Sequence, residues 1–352
     1  MKKLRLFIIV ILIVLLAGVG GSIIYYNNSI SAVSSQSEEV IFEVSEGSTY
    51  QGVISNLYDK GLIKNTTIAK LYLKFNDVPT LKANTYKLDK NMNLETIFDI
   101  LGNGYFEYLV TNKFTIVEGS TVPKVAEVLA SFLTTEETLV SANDVIAKLA
   151  DTNFLTTLIA KYWFLTDDIL DSNIMFPLEG YLYPETYVLS STEVNIETVI
   201  YAILDRTNAI LTGYKSQIEN SGMSVHQFLT FSSIVERESL FDSDKPKIAG
   251  VFMNRLEIDM RIQSDITVLY ALQEQRINVT YADLEVDSLY NTYKYSGLPI
   301  GPVSNVSSST MQASLNYEHN DYYYFFACAD GTVIYSRTVE EHDQAATENK
   351  WW

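Results

Sequence analysis

The chain has 352 residues, 47% of them apolar and 19% charged, too long for one ordinary small domain and rich enough in apolar side chains for a sizeable core. Its 25 basic against 43 acidic side chains leave a net charge of −18, which argues against a nucleic-acid partner and against docking of the body of the protein on anionic lipid headgroups. The single cysteine, Cys328, excludes an internal disulfide; within an apolar run and without a basic neighbour it reads as a small buried strand residue.

Lys2, Lys3 and Arg5 precede an uncharged apolar run from Leu6 to Tyr26, and the next basic residue is Lys60. At 1.5 Å per helical residue such a run spans a hydrocarbon core of roughly 30 Å. The positive-inside rule then assigns residues 1–5 to the cytoplasm, residues 6–26 to a transmembrane signal anchor and the remainder to the extracytoplasmic side of a cell membrane crossed once. A cleavable signal peptide is the alternative, since small residues stand at Ser29, Ser31 and Ala32. Residues 27–40, rich in Ser and Asn, read as a flexible linker that keeps the protein close to the membrane surface.

Residues 41–110 and 111–175 open with an internal echo. Phe42-Glu43-Val44-Ser45-Glu46-Gly47-Ser48-Thr49 is matched by Phe114-Thr115-Ile116-Val117-Glu118-Gly119-Ser120-Thr121, and Val53 and Leu57 by Val125 and Leu129. Each copy reads as a short strand, a glycine turn with positive φ, and a Ser or Thr that caps a helix. The pattern fits a small glycan-binding module and a plain packing unit equally well. From Ala130 to Asp171 the apolar spacing is helical and reads as an insertion with a packing role.

Residues 176–352 begin with Phe176-Pro177-Leu178-Glu179-Gly180-Tyr181-Leu182-Tyr183-Pro184-Glu185-Thr186-Tyr187, whose aromatic side chains suit either a sugar face or a loop packed over a core. Met223–Leu240 is an amphipathic helix with Ser224 as N-cap and Gln227 completing a capping box. Another helix is expected at Lys247–Leu256 and one near Ser309–Leu315, with loop-rich chain between. Asp330-Gly331, between apolar runs at Tyr322–Ala327 and Thr332–Ser336, predicts a β-hairpin.

The first of these helices carries Glu236 and Glu238, about 200° apart around its axis. Glu238 continues the apolar row of Phe231, Ile234 and Val235, where desolvation raises a carboxyl pKa and keeps the proton that a general acid must hold. Arg237 is expected to serve Glu236 or a surface partner. The three histidines, His226, His319 and His342, lie too far apart in sequence for metal-ligand spacing, and no cofactor motif is present.

Ser233-Ile234-Val235-Glu236-Arg237-Glu238-Ser239 resembles the catalytic-helix motif of the endolytic murein transglycosylases of the MltG/YceG-like family. Further segments are similar to the same family in the same order: Leu178–Tyr187, Val251–Leu256, Met260–Asp265, Tyr290–Tyr293 and Gly297–Pro302. Ile266 and Ile300 depart from it, standing where the family commonly has proline. The resemblance implies an α+β protein with an N-terminal transmembrane helix, LysM-like modules and a mixed α+β catalytic domain over 176–352, containing a catalytic helix and a β-hairpin. It implies Glu238 as the catalytic acid and base cleaving the MurNAc–GlcNAc β-1,4 bond of nascent strands with 1,6-anhydro ends. Glu236, Ser239, Gln263, Asp265, Asn291, Tyr293 and Tyr181 are then candidates for substrate binding. The implied partners are peptidoglycan glycan strands, peptidoglycan synthases and elongation proteins, and the membrane through the N-terminal helix. A non-catalytic glycan-binding scaffold and a hydrolytic muramidase are the competing expectations.

Overall fold

The computed structural model describes residues 2–110, 112–135, 138–189, 194–274, 276, 278–328 and 330–349, with the side chains of residues 2–14, 106 and 112 outside that description. The chain divides into two compact units, residues 1–112 with 188–193, and residues 113–187 with 194–352.

The first unit starts with α1 (Lys2–Ile30) and continues through β1 (Glu39–Val44), α2 (Tyr50–Asp59), α3 (Thr66–Phe75), β2 (Asn84–Asp89) and α4 (Leu94–Asn103). The two strands pair antiparallel with Phe42 opposite Tyr86 and Val40 opposite Leu88. Phe42, Val44, Tyr86 and Leu88 thus face inward and pack with Val53, Ile54 and Leu57 of α2 and Ile97 and Phe98 of α4. Thr49, Asn65 and Asn93 cap the three shorter helices through their side-chain oxygens, each satisfying a backbone N–H of the first turn.

The expected transmembrane anchor requires correction. Residues 2–30 are helical, but among the described residues no helix is long and apolar enough to cross a membrane. The side chains of Lys2, Lys3, Arg5 and the apolar residues through Val14, on which that expectation leaned, lie outside the described ones. Leu15–Ile30, 16 residues, rises only about 24 Å, short of the roughly 30 Å required. It also carries Gly18, Gly20, Gly21, Ser22, Asn27, Asn28 and Ser29. Its C-terminal end is bound to its own unit: Asn65 donates to the Tyr25 hydroxyl at 3.0 Å, Lys64 donates to the Asn28 carbonyl at 3.3 Å, and Ile30 packs on the core. The membrane as a partner through this N-terminal helix, and the single-pass topology with a cytoplasmic N-terminus, fall with the anchor.

From residue 113 the second unit takes in the rest of β3 (Asn112–Thr115), α5 (Val122–Leu133), α6 (Ala142–Leu149), α7 (Thr152–Lys161), the first two residues of β4 (Thr186–Leu189), α8 (Ile196–Ser221) and α9 (Val225–Glu238). It continues with α10 (Lys245–Glu257), α11 (Asp265–Leu272), α12 (Ser308–Leu315), β5 (Tyr324–Ala327), β6 (Val333–Ser336) and α13 (Val339–Asn349). Strands occur here as the pairs β3–β4 and β5–β6, so helices supply most of the packing. The hairpin forms with Tyr324 opposite Ser336 and Gly331 at φ 86°, and Cys328 lies half-buried just beyond the end of β5. α8 was not anticipated. Asn195 and Thr198 form its capping box and Gly222 ends it in the left-handed region.

α9 is the centre of this unit. Ser224 and Gln227 form the expected capping box, with Gln227 N–H donating to Ser224 Oγ at 3.1 Å and Ser224 N–H to Gln227 Oε1 at 2.9 Å. The helix is buried on every side from Phe228 to Val235, enclosed by α10, α11 and α12, which is more than an amphipathic surface helix would require. Small polar residues make that closeness possible: Ser233 Oγ donates to the Thr230 carbonyl and accepts from the Val303 N–H at 3.0 Å. Phe231, Ile234 and Val235 pack with Ile248, Ala249, Phe252 and Ile262.

α10 begins with Pro246 in its first turn, where the missing N–H costs nothing. At Gly250 it passes so close to the loop after α12 that a Cβ would stand 2.1 Å from the Glu318 carbonyl oxygen. Gly250→Ala is expected to lower stability by ~2–3 kcal/mol, because backbone on both sides must move. Chemical denaturation with an unchanged m-value would check it, and wild-type stability in that variant would refute the close packing.

Candidate active site

The last turn of α9 places its two carboxylates in opposite surroundings. Glu236 turns towards the start of α12. Its Oε2 accepts from the Ser307 N–H at 2.8 Å, the Ser307 hydroxyl at 2.7 Å and the Thr310 hydroxyl at 2.6 Å. Its Oε1 accepts from Lys245 Nζ at 3.2 Å, with both side chains less than a tenth exposed. A negative charge at the N-terminus of a helix is stabilised by the helix dipole, so Glu236 acts as a tertiary cap of α12. Lys245 takes the role expected of Arg237. Arg237 is exposed and donates to the Gly119 carbonyl at 3.1 Å.

Glu238 closes α9 on the other side. The helix ends there, with Ser239 extended at φ −100° and ψ 126°. A carboxyl at this position faces the negative end of the helix dipole, which disfavours its ionised form. It is partly buried, with Ser264 Oγ donating to Oε1 at 2.5 Å. Burial is the largest cause that pushes its pKa up, from 4.5 to about 7. The Ser264 hydrogen bond pulls it down, nearby Asp265 pushes it up, and Arg255 and Arg237 pull it down.

Several of the residues suggested by sequence gather around this carboxyl. Asp265 opens α11, is exposed, and accepts from the Tyr293 hydroxyl at 2.6 Å. Burial, then the Asp265 hydrogen bond, pushes the Tyr293 hydroxyl above its ordinary value. Gln263 is exposed and left-handed at φ 51°. The Ser239 hydroxyl beside Glu238 is buried without a hydrogen-bond partner. Asn291 is wholly buried and organises the loop below, donating to the carbonyls of Leu284 and Val286 and accepting from the Tyr293 N–H. Tyr181 stands apart, its ring in the core and its hydroxyl 2.8 Å from His226 Nδ1, while His226 Nε2 lies 2.8 Å from the Ile300 carbonyl. Leu178 and Leu182 are equally buried, so this stretch of the aromatic segment packs inward.

Ser264, Arg255 and Glu179 lie within segments that resemble the family, but none of them stood out as a site residue in the sequence. Glu179 is buried at the start of α5, where Thr121 makes no capping bond. Both its oxygens accept from the Val122 N–H, at 3.1 and 3.0 Å, and Oε2 also accepts from the Tyr270 hydroxyl at 3.1 Å. Burial pushes its pKa up to about 8 against the pull of those bonds. A cleft of about 480 Å³ opens nearby, lined by Gly119, Thr121, Arg237, Ile266, Tyr270 and Val303 among others. Arg237 of α9 and Ile266 of α11 line it, whereas Glu238, Ser264, Asp265 and Tyr293 do not. A larger apolar groove of about 870 Å³ between α1 and α3 is lined by no carboxylate and offers no comparable chemistry.

The raised pKa carries a consequence for stability. The unfolded chain releases the Glu238 proton near pH 4.5, whereas the folded one holds it to about pH 7. The native state therefore binds more protons across that window, and stability falls as pH rises through it. Glu238→Gln is expected to be more stable than the wild type by ~1–3 kcal/mol at pH 8 and nearly equal to it at pH 4. Thermal melts at the two pH values would check this; an equal difference at both would refute the raised pKa.

The YceG-like family matches residues 42–348. An endolytic murein transglycosylase of Bacillus subtilis (strain 168) is 36% identical over 307 residues, covering 87% of this chain and 83% of the relative. An endolytic murein transglycosylase of Streptococcus pneumoniae serotype 2 (strain D39 / NCTC 7466) is 33% identical over 333 residues, covering 91% of this chain; the chain spans only 60% of that relative. A crystal structure of a yceG-like protein from Listeria monocytogenes, at 39% identity, superposes with a TM-score of 0.63 over 88% of this chain and 100% of that one.

Proposed function

The chain belongs to the YceG-like family, and on that premise we propose that its endolytic murein transglycosylase activity is carried by Glu238, acting first as acid and then as base. The observation that carries this reading is a carboxyl withdrawn from water far enough to hold its proton to about pH 7, yet not wholly enclosed. Glu238 gives its proton to the bridging oxygen of the MurNAc–GlcNAc β-1,4 bond. The bond from that oxygen to the MurNAc anomeric carbon breaks, GlcNAc leaves as the alcohol, and positive charge develops at the anomeric carbon.

The neighbouring N-acetyl group of the substrate offers electron density to that cation. Ionised Glu238 then removes the proton of the C6 hydroxyl as its oxygen bonds to the anomeric carbon. The product is a 1,6-anhydro ring, no water is consumed, and the carboxyl ends protonated as it began. Intramolecular attack is favoured because the nucleophile is already held close to the carbon. Tyr293, whose hydroxyl is influenced by Glu238, and Gln263, exposed and next to Ser264 in the chain, are suited to orient ring hydroxyls and the acetamido group.

One observation favours a second reading. Asp265 stands close enough to raise the Glu238 pKa, and a second carboxylate is what a hydrolytic muramidase uses. Its oxygen is engaged by the Tyr293 hydroxyl, which favours the single-carboxyl route. Mass spectrometry of digested cell wall separates the two, since hydrolysis leaves reducing ends and the proposed reaction leaves anhydro ends.

Glu238→Gln is expected to lower release of anhydro products by ~10³-fold or more with the fold intact. Wild-type product release from that variant would sink the assignment. Glu236→Gln weakens the pairing with buried Lys245 and is expected to cost ~2–3 kcal/mol of stability. It should retain anhydro products at temperatures where it stays folded, as a melt paired with a product assay would establish.

A further inference from the structure

The three residues that lead into α11 are gripped from several sides. Arg255, on α10, donates through Nη1 to the Ile262 carbonyl and through Nε to the Tyr323 carbonyl at 2.6 Å. Thr292 takes the next two positions: its carbonyl accepts from the Gln263 N–H at 3.2 Å and its hydroxyl accepts from the Ser264 N–H at 3.0 Å. Thr267 Oγ1 donates to the Ser264 carbonyl at 2.7 Å. Between these holds Gln263 takes the left-handed conformation, which a residue with a Cβ adopts only under constraint. The result is to turn Ser264 inward, where it is 2% exposed and its hydroxyl meets Oε1 of Glu238.

We propose that Ser264 is the positioning residue of the reaction, occupying Oε1 so that Oε2 is the oxygen that passes the proton to and from the sugar. The inference rests on the reading of Glu238 as acid and base. A carboxylic acid carries its proton on one oxygen and accepts best on the other. A hydroxyl fixed at Oε1 therefore selects Oε2 as the donor and stops the carboxyl from rotating. Among the described residues Ser264 is the one hydrogen-bond partner of this carboxyl. The other groups that act on it are Asp265 on α11, Arg255 on α10, Arg237 on α9 and the Tyr293 hydroxyl from the loop after α11. They act through charge and select neither oxygen.

The same bond favours the ionised form, so its loss makes Glu238 a weaker acid that holds its proton to higher pH. In the full chain, Ser264→Ala is expected to lower kcat for anhydro-product release by ~10–100-fold with little change in KM. The alkaline limb of its pH profile, expected near pH 7 in the wild type, should move upward. Ser264→Thr keeps the hydroxyl and should restore both. If Ser264→Ala melts below the assay temperature, Ser264→Cys, close in shape but a weak donor, takes its place with the same expectation. Wild-type kcat and an unmoved alkaline limb in the hydroxyl-free variant would overturn the proposal, as would a folded Ser264→Thr no better than Ser264→Ala. Glu238→Gln run beside them keeps the two ideas apart: activity there sinks the acid itself, whereas an inactive Glu238→Gln with an unaffected Ser264→Ala sinks only the positioning role.

Discussion

Everything at the candidate site depends on a carboxyl kept out of water at the negative end of a helix. Neither condition is favourable for an ionised glutamate, and α9 imposes both because it is walled in by α10, α11 and α12 almost to its last residue. The packing of Phe231, Ile234 and Val235 therefore does more than stabilise a core. It fixes how far the end of the helix is withdrawn from solvent, and that withdrawal sets the proton affinity of the group it carries. An active site of this kind works against the stability of the fold that holds it.

The contrast between Glu236 and Glu238 shows how environment sorts identical side chains. They are two residues apart, on nearly opposite faces of one helix. Glu236 finds a lysine, two hydroxyls and a backbone N–H at the start of α12. Glu238 finds one hydroxyl and a nearby aspartate. The first is a charged anchor for the tertiary structure; the second keeps a labile proton. Glu179 is a third case, a buried carboxyl that stands in for a missing local cap at the start of α5.

What could be read beforehand was whatever depends on neighbours in sequence. The Ser224–Gln227 capping box, the hairpin turn at Gly331 and the left-handed Gly47 and Gly119 of the internal echo all follow from local chemistry. α8 had equally local signals in Asn195, Thr198 and Gly222. The echo failed where it became tertiary: Thr49 caps α2, but Thr121, at the matching place, leaves α5 to Glu179 from 57 residues away. Ser264 and Arg255 fell inside family-like segments, but their roles could not be read there, since their partners lie 26 and 68 residues distant. The apolar pattern anticipated that Glu238 is partly withdrawn from water but could not show what closes over it. The N-terminal segment misled in the opposite way, because a run of apolar letters does not reveal that Tyr25 and Asn28 bond to the folded unit after them.

The grip of Arg255 on the carbonyls of Ile262 and Tyr323 has a bearing on biosynthesis. A chain growing from its N-terminus finishes α9 long before residue 323 is made. Until then nothing fastens the guanidinium on that side, and the turn at Gln263 lacks one of its braces. Part of the burial that raises the Glu238 pKa therefore waits on segments made after α9. The raised proton affinity is thus a property of the assembled fold, since a chain ending before α12 carries residues 233–239 without all the walls around them.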